Sequence, residues 1–262
     1  MDDAFDLSTG PGPLVAAAVH DGHAIHPETL AHVALPENER MREEDPFTGR
    51  LTSVAPTRIV GRRSRFEIDF NRPPERAVYR TPDDAWGLDV WGGTVPESVV
   101  ERSMGVYESF YRAVEKLLSL KIQEYGSVVV LDLHSYNHRR EGPGGPVADP
   151  EGNPEVNIGT GSLDRDRWGG LVDRFMADLR DGAATAGWDG LDVRENVKFE
   201  GGHFSTWIHE TFGNAACVLA VEFKKVFIDE WSGRLDRERF GQLEAALAAT
   251  VPGLLEAREA TA

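Results

Sequence analysis

The chain has 262 residues, 40% of them apolar, and a formal charge of −16. That length and apolar share fit one large folded domain over residues 1–262 and exclude a disordered chain. The negative charge excludes nucleic acid and anionic membranes as natural partners, and no run reaches the ~18–20 apolar residues of a membrane span.

The acidic opening, Met1-Asp-Asp-Ala-Phe-Asp, lacks the basic-then-apolar layout of a secretory signal, so a cytoplasmic protein is expected. Residues 1–13 read as a Gly/Pro-punctuated lead-in and 14–19 as a first strand, apolar throughout and so buried on both faces. Pro27 opens a short helix to about Val33, and a second covers 37–44, stopping before Pro46. Residues 57–60 and 65–70 read as a hairpin, since Phe66, Ile68 and Phe70 alternate with Glu67 and Asp69. Residues 73–95, rich in Pro, Gly, Asp and Trp, suggest a long surface excursion. Val100, Met104, Tyr107, Phe110, Val114, Leu117 and Leu118 recur at helical spacing and predict a helix over 97–125, closed by Gly126. A buried strand (127–133), a polar loop (135–165), a helix (166–186) and a strand (191–197) follow. Residues 200–214 read as loop, 216–223 as the last buried strand, and 237–257 as a helix interrupted at Pro252. Cys217 is the single cysteine and sits in that last apolar run, so it reads as an inert buried thiol. Strands alternating with amphipathic helices predict an α/β fold, a three-layer α/β/α sandwich.

Three of the apolar strands end on His20, His134 and Glu222. Ligand sites in open α/β sheets lie beyond the carboxyl ends of the strands, so these three side chains are expected to converge. A hydrolytic zinc site takes three protein ligands and keeps one position for water. The third ligand would come from Arg42-Glu-Glu-Asp-Pro as Glu44 or Asp45, although such a charge run is otherwise a solvated helix end. His23 is a rival through its spacing from His20. Asp132, on the same strand face as His134, could hold that imidazole in one tautomer or form a structural ion pair. Glu222 either pairs with Lys224 or Lys225, or faces the site and takes a proton from water. Asn71 and Arg72 offer a donor and a planar fork suited to a carboxylate, against the alternative of a surface salt bridge. His203, in a Gly-Gly-His loop, could bind substrate or stabilise an oxyanion, or lie free in solvent.

In this order the segments resemble the N-formylglutamate amidohydrolase family, over roughly residues 14–235. His20-Asp-Gly-His is similar to its first block, and Arg42-Glu-Glu-Asp-Pro-Phe-Thr-Gly-Arg-Leu to its acidic-ligand block. Asp69-Phe-Asn-Arg is similar to its D-x-N-R block and Leu131-Asp-Leu-His-Ser to its D-x-H-S block. Phe199-Glu-Gly-Gly-His and Val221-Glu-Phe-Lys-Lys-Val-Phe-Ile-Asp-Glu resemble the last two. The resemblance implies a zinc-carboxypeptidase-like fold with a mostly parallel or mixed sheet. It also implies zinc-dependent hydrolysis of an anionic N-acyl amino acid such as N-formylglutamate. His20, His134 and one of Glu44 or Asp45 would hold the metal, Glu222 would activate water, and Asn71 and Arg72 would grip the substrate carboxylate. His23, His203, the Trp-containing segment 84–92 and Lys224-Lys225 depart from a typical histidine-degradation enzyme and point to a divergent subgroup. A carboxypeptidase-like metallopeptidase and a non-catalytic binding module on the same fold remain as rivals. A serine hydrolase using Ser135 lacks the G-x-S-x-G elbow.

Overall fold

Leu14–Ala18 and Val128–Tyr136 are buried at every position, and Ala216–Lys224 at all but Glu222, as strands covered on both faces must be. The computed structural model describes residues 4–261, so the first three residues of the acidic opening lie outside it. Its strands are β1 (Phe5–Ser8), β2 (Leu14–Ala18), β3 (Thr57–Gly61), β4 (Val128–Tyr136), β5 (Val156–Gly159), β6 (Val193–Glu195) and β7 (Ala216–Lys224). They form one seven-stranded sheet in the order β1-β3-β2-β4-β7-β5-β6. The β1–β3 and β5–β7 pairs are antiparallel and the others parallel. The three strands that end in chemistry, β2, β4 and β7, are therefore adjacent at the centre.

The helices are α1 (Pro27–Leu30), α2 (Glu37–Glu43), α3 (Thr48–Leu51), α4 (Glu97–Tyr125), α5 (Arg165–Thr185), α6 (His203–Phe212), α7 (Arg237–Ala249) and α8 (Val251–Thr261). One core joins Leu131, Leu133, Leu219 and Val221 of the sheet to Phe175 and Leu179 of α5 and to Leu243 and Leu247 of α7. The other joins Val128, Val130 and Val218 to Phe110 and Val114 of α4 and to Phe204 and Ile208 of α6. Helices thus cover both faces of the sheet. Helix α4 spans its expected residues and stops at Gly126, whose φ of 79° suits a glycine. The closing helix divides between Ala249 and Val251, leaving Pro252 in a first turn where its missing N–H costs nothing.

Five local expectations fail. The second arm of the expected hairpin is a run of turns, because β3 already pairs with β1 on one edge and β2 on the other. The lead-in contains β1, and the polar loop contains β5. Residues 203–212 are helix rather than loop. The 73–95 excursion is not purely superficial: Val78, Tyr79, Ala85, Val90 and Trp91 all enter the core.

Candidate active site

Residues that alternate along a strand share a face, and on the face beneath α4 and α6 the two central strands change character midway. There β4 presents Val128, Val130, Asp132 and His134, while β7 presents Ala216, Val218, Ala220 and Glu222. The apolar half packs; the carboxyl-terminal half carries chemistry. The register sets His134 directly beside Glu222. His20 lies two residues beyond β2 and its ring is 5.0 Å from that of His134.

Asp45 reaches the same point from the turn between α2 and α3. Its backbone N–H donates to His20 O (3.0 Å), and its carbonyl accepts from the Thr48 N–H (3.2 Å) and hydroxyl (2.7 Å). Asp45 Oδ2 then lies 3.2 Å from His134 Nδ1 and 3.4 Å from His20 Nδ1. One donor atom from each of the three buried residues lies within 4.8 Å of the other two. Glu44, the alternative ligand, turns to other partners: its carboxylate accepts from Ser64 Oγ and pairs with His23 Nδ1 at 2.5 Å. Those contacts occupy both Glu44 and His23, and neither residue joins the cluster.

Behind the histidines stand two more carboxylates. His20 Nε2 is 2.6 Å from Asp69 Oδ1, and His134 Nε2 is 2.9 Å from Asp132 Oδ1. A carboxylate on Nε2 keeps a proton there and turns Nδ1 towards the centre, the usual support for a metal-ligating imidazole. His20 Nδ1 is buried and makes no hydrogen bond, a costly arrangement that a cation would satisfy. Burial opposes charge on His134, yet Asp132 and Glu222 raise its pKa well above the ordinary value. Burial likewise opposes ionisation of Asp45, but His134 and His20 hold it far below the carboxylate range. The centre of the site therefore favours positive charge, and its His-Asp-His donor set fits a divalent metal ion.

A cavity of about 410 Å³ opens over this cluster and is lined also by Glu222, Asn71, Arg72 and His203, a size suited to a small molecule. Burial pushes Glu222 up to about 7. Neither neighbouring lysine is its partner. Lys225 Nζ donates to the carbonyls of Arg42 (2.5 Å) and Glu44 (2.7 Å), while Lys224 feels the charges of Glu155 and Asp192. Arg72 Nε stays 3.9 Å from Asp69, leaving its fork partly open to the cavity. Burial lowers the pKa of His203 and favours its neutral form.

Several lining residues escaped the sequence reading. Arg65 donates to Asp69 (2.8 Å) and Tyr79 (3.1 Å) and packs 4.7 Å from the ring centre of the exposed Trp86. Arg140 and Phe199 complete the mouth. Asp69 had been visible only as part of a motif. An acidic residue between Ile68 and Phe70, in a stretch that buries, was the available signal.

Residues 12–228 match the model of the family N-formylglutamate amidohydrolase. In fold the chain is similar to the N-formylglutamate amidohydrolase of Ralstonia eutropha JMP134, with a TM-score of 0.75 at 20% identity over 98% of this chain and 99% of that one. It is also similar to a gene product of Agrobacterium tumefaciens, with a TM-score of 0.64 at 20% identity over 98% and 95% of the two chains. Among curated proteins there is no match. On the extent of the family match, supported by the metal-fitting centre beneath its cavity, the chain belongs to the N-formylglutamate amidohydrolase family.

Proposed function

We propose that this protein is a zinc-dependent amidohydrolase that cleaves N-acyl amino acids of the N-formylglutamate kind, giving formate and glutamate. The observation that carries the reading is the buried His20–Asp45–His134 donor set facing one cavity with Glu222. In this reading those three residues hold the metal, with Asp69 and Asp132 fixing the two imidazoles from behind. When bound, such a cation supplies Lewis acidity to the scissile carbonyl and acidifies water. Glu222 accepts the proton of the attacking water and returns it to the amide nitrogen as the C–N bond breaks. Its raised pKa, about 7, suits both transfers near neutrality. Arg72 and the Asn71 carboxamide bind the amino-acid carboxylate, and neutral His203 donates to the oxygen that gains charge.

The test is metal analysis with a formate-release assay on N-formyl-L-glutamate. His134→Ala is expected to lose both zinc and turnover, while Glu222→Gln keeps zinc and loses most of the rate. Full activity of either variant refutes its assigned role. Ligand-induced stabilisation of the zinc-loaded protein with no product formed points instead to a binding module.

A further inference from the structure

We propose that Tyr107 and Tyr111 are positioning residues that clamp the peptide carrying the carboxylate grip, Asn71 and Arg72. This rests on the reading of those two residues as the substrate-carboxylate site. The tyrosines sit one turn apart on the same face of α4, where i and i+4 side chains are neighbours. Tyr107 Oη donates to Arg72 O at 2.9 Å, and Tyr111 Oη donates to Phe70 O at 2.6 Å. The two carbonyls flank Asn71. They belong to a segment of turns, with no strand ladder to satisfy them, so the hydroxyls supply their hydrogen bonds.

The same peptide is held from the other side by α6. Asn71 N–H donates to Asp69 Oδ1 (2.8 Å), and Phe204 N–H donates to Asn71 Oδ1 (2.9 Å). A backbone N–H can only donate, so it fixes which end of the carboxamide is oxygen. Asn71 Nδ2 is thereby left as the free end, beside the cavity and 3.5 Å from His134 Nε2. Gly202 permits this approach: a Cβ there would lie 2.2 Å from Asn71 Oδ1. Two hydroxyls from α4 and one N–H from α6 thus define where a donor-only surface meets the cavity, which is what a carboxylate requires.

Packing alone does not demand the hydroxyls. Phe110, between the two tyrosines in sequence, fills its core position without one. Tyr→Phe therefore deletes the clamp and keeps the ring. Tyr107→Phe and Tyr111→Phe are each expected to raise KM for N-formyl-L-glutamate roughly 3–10-fold, with kcat within about twofold and zinc content unchanged. In an Arg72→Ala background the same substitutions should add less, because only the Asn71 half of the grip is left for the clamp to place. An unchanged KM, a fall in zinc content that tracks the loss, or a full penalty persisting without Arg72 overturns the proposal. Hydrogen exchange gives a readout independent of the reaction: amides 70–72 should exchange faster in both variants, while 132–135 keep their protection. If the wild type hydrolyses no N-formyl-L-glutamate, the proposed reaction falls, and the exchange at 70–72 alone decides the clamp.

Discussion

Acid should weaken this fold through His209, a residue far from obvious in the sequence. His209 Nε2 accepts from the Val218 backbone N–H at 3.0 Å, and Nδ1 lies 2.8 Å from Ser162 Oγ. The pairing of β5 with β7 stops at Ala220, so it cannot serve the Val218 amide. A donor facing Nε2 requires a lone pair there, so the folded protein needs a neutral imidazole with its proton on Nδ1. Burial accordingly lowers this pKa from 6.5 to about 4. The unfolded chain takes up its proton near the ordinary value, whereas the folded chain resists. Stability is therefore intact above about pH 6.5 and is lost as pH falls towards 4. Linkage gives a loss of about 2 kcal/mol by about pH 5, and about 3 kcal/mol once both states are protonated. Solvent contact of the ring reduces both figures. Urea unfolding at about pH 7.5 and about pH 5 measures the effect against His209→Gln, whose amide oxygen can accept from Val218 but does not titrate. The wild type should lose up to about 2 kcal/mol more than the variant across that interval. Parallel losses would refute the argument, since every other titrating group is common to both proteins.

Three further outcomes concern the site. Asp69→Asn should weaken zinc binding about 10–100-fold, because the His20 ring loses the carboxylate that holds its tautomer; an unchanged dissociation constant by competitive chelation contradicts that role. Arg72→Ala should raise KM for an N-acyl glutamate by about 10–100-fold with little change in kcat, as expected for a charged hydrogen bond made equally to ground and transition states. A fall confined to kcat argues against it. Glu222 works ionised, so activity should fall as pH drops, and a bound dication should move its pKa below the value of about 7 set by burial. The acid limb of kcat/KM should therefore inflect below about pH 7, and a limb well above that assigns the titration elsewhere.

How much of this was legible beforehand follows from which interactions are local. The runs ending at His20, His134 and Glu222 contained their own instructions: strands buried on both faces must be continuously apolar, and their ends in an α/β sheet must converge. The stripe over 97–125 likewise specified α4 by its period. Helix α6 could also have been found, since Phe204, Ile208 and Phe212 keep helical spacing between Gly202 and Gly213. The glycines at both ends drew the reading towards loop.

Other decisions were not local at all. Phe66, Ile68 and Phe70 alternate as a strand should, but strand formation needs a free neighbouring edge, and β1 and β2 occupy both edges of β3. Glu44 and Asp45 are adjacent and chemically alike, so nothing along the chain distinguishes them. Ser64 and His23 engage one, and His20 and His134 face the other. The chain by itself therefore determined which strands and which kinds of side chain would build the centre. Only the tertiary structure decided which carboxylate enters it and that Asp69 stands behind His20, because residues tens of positions apart in sequence set those distances.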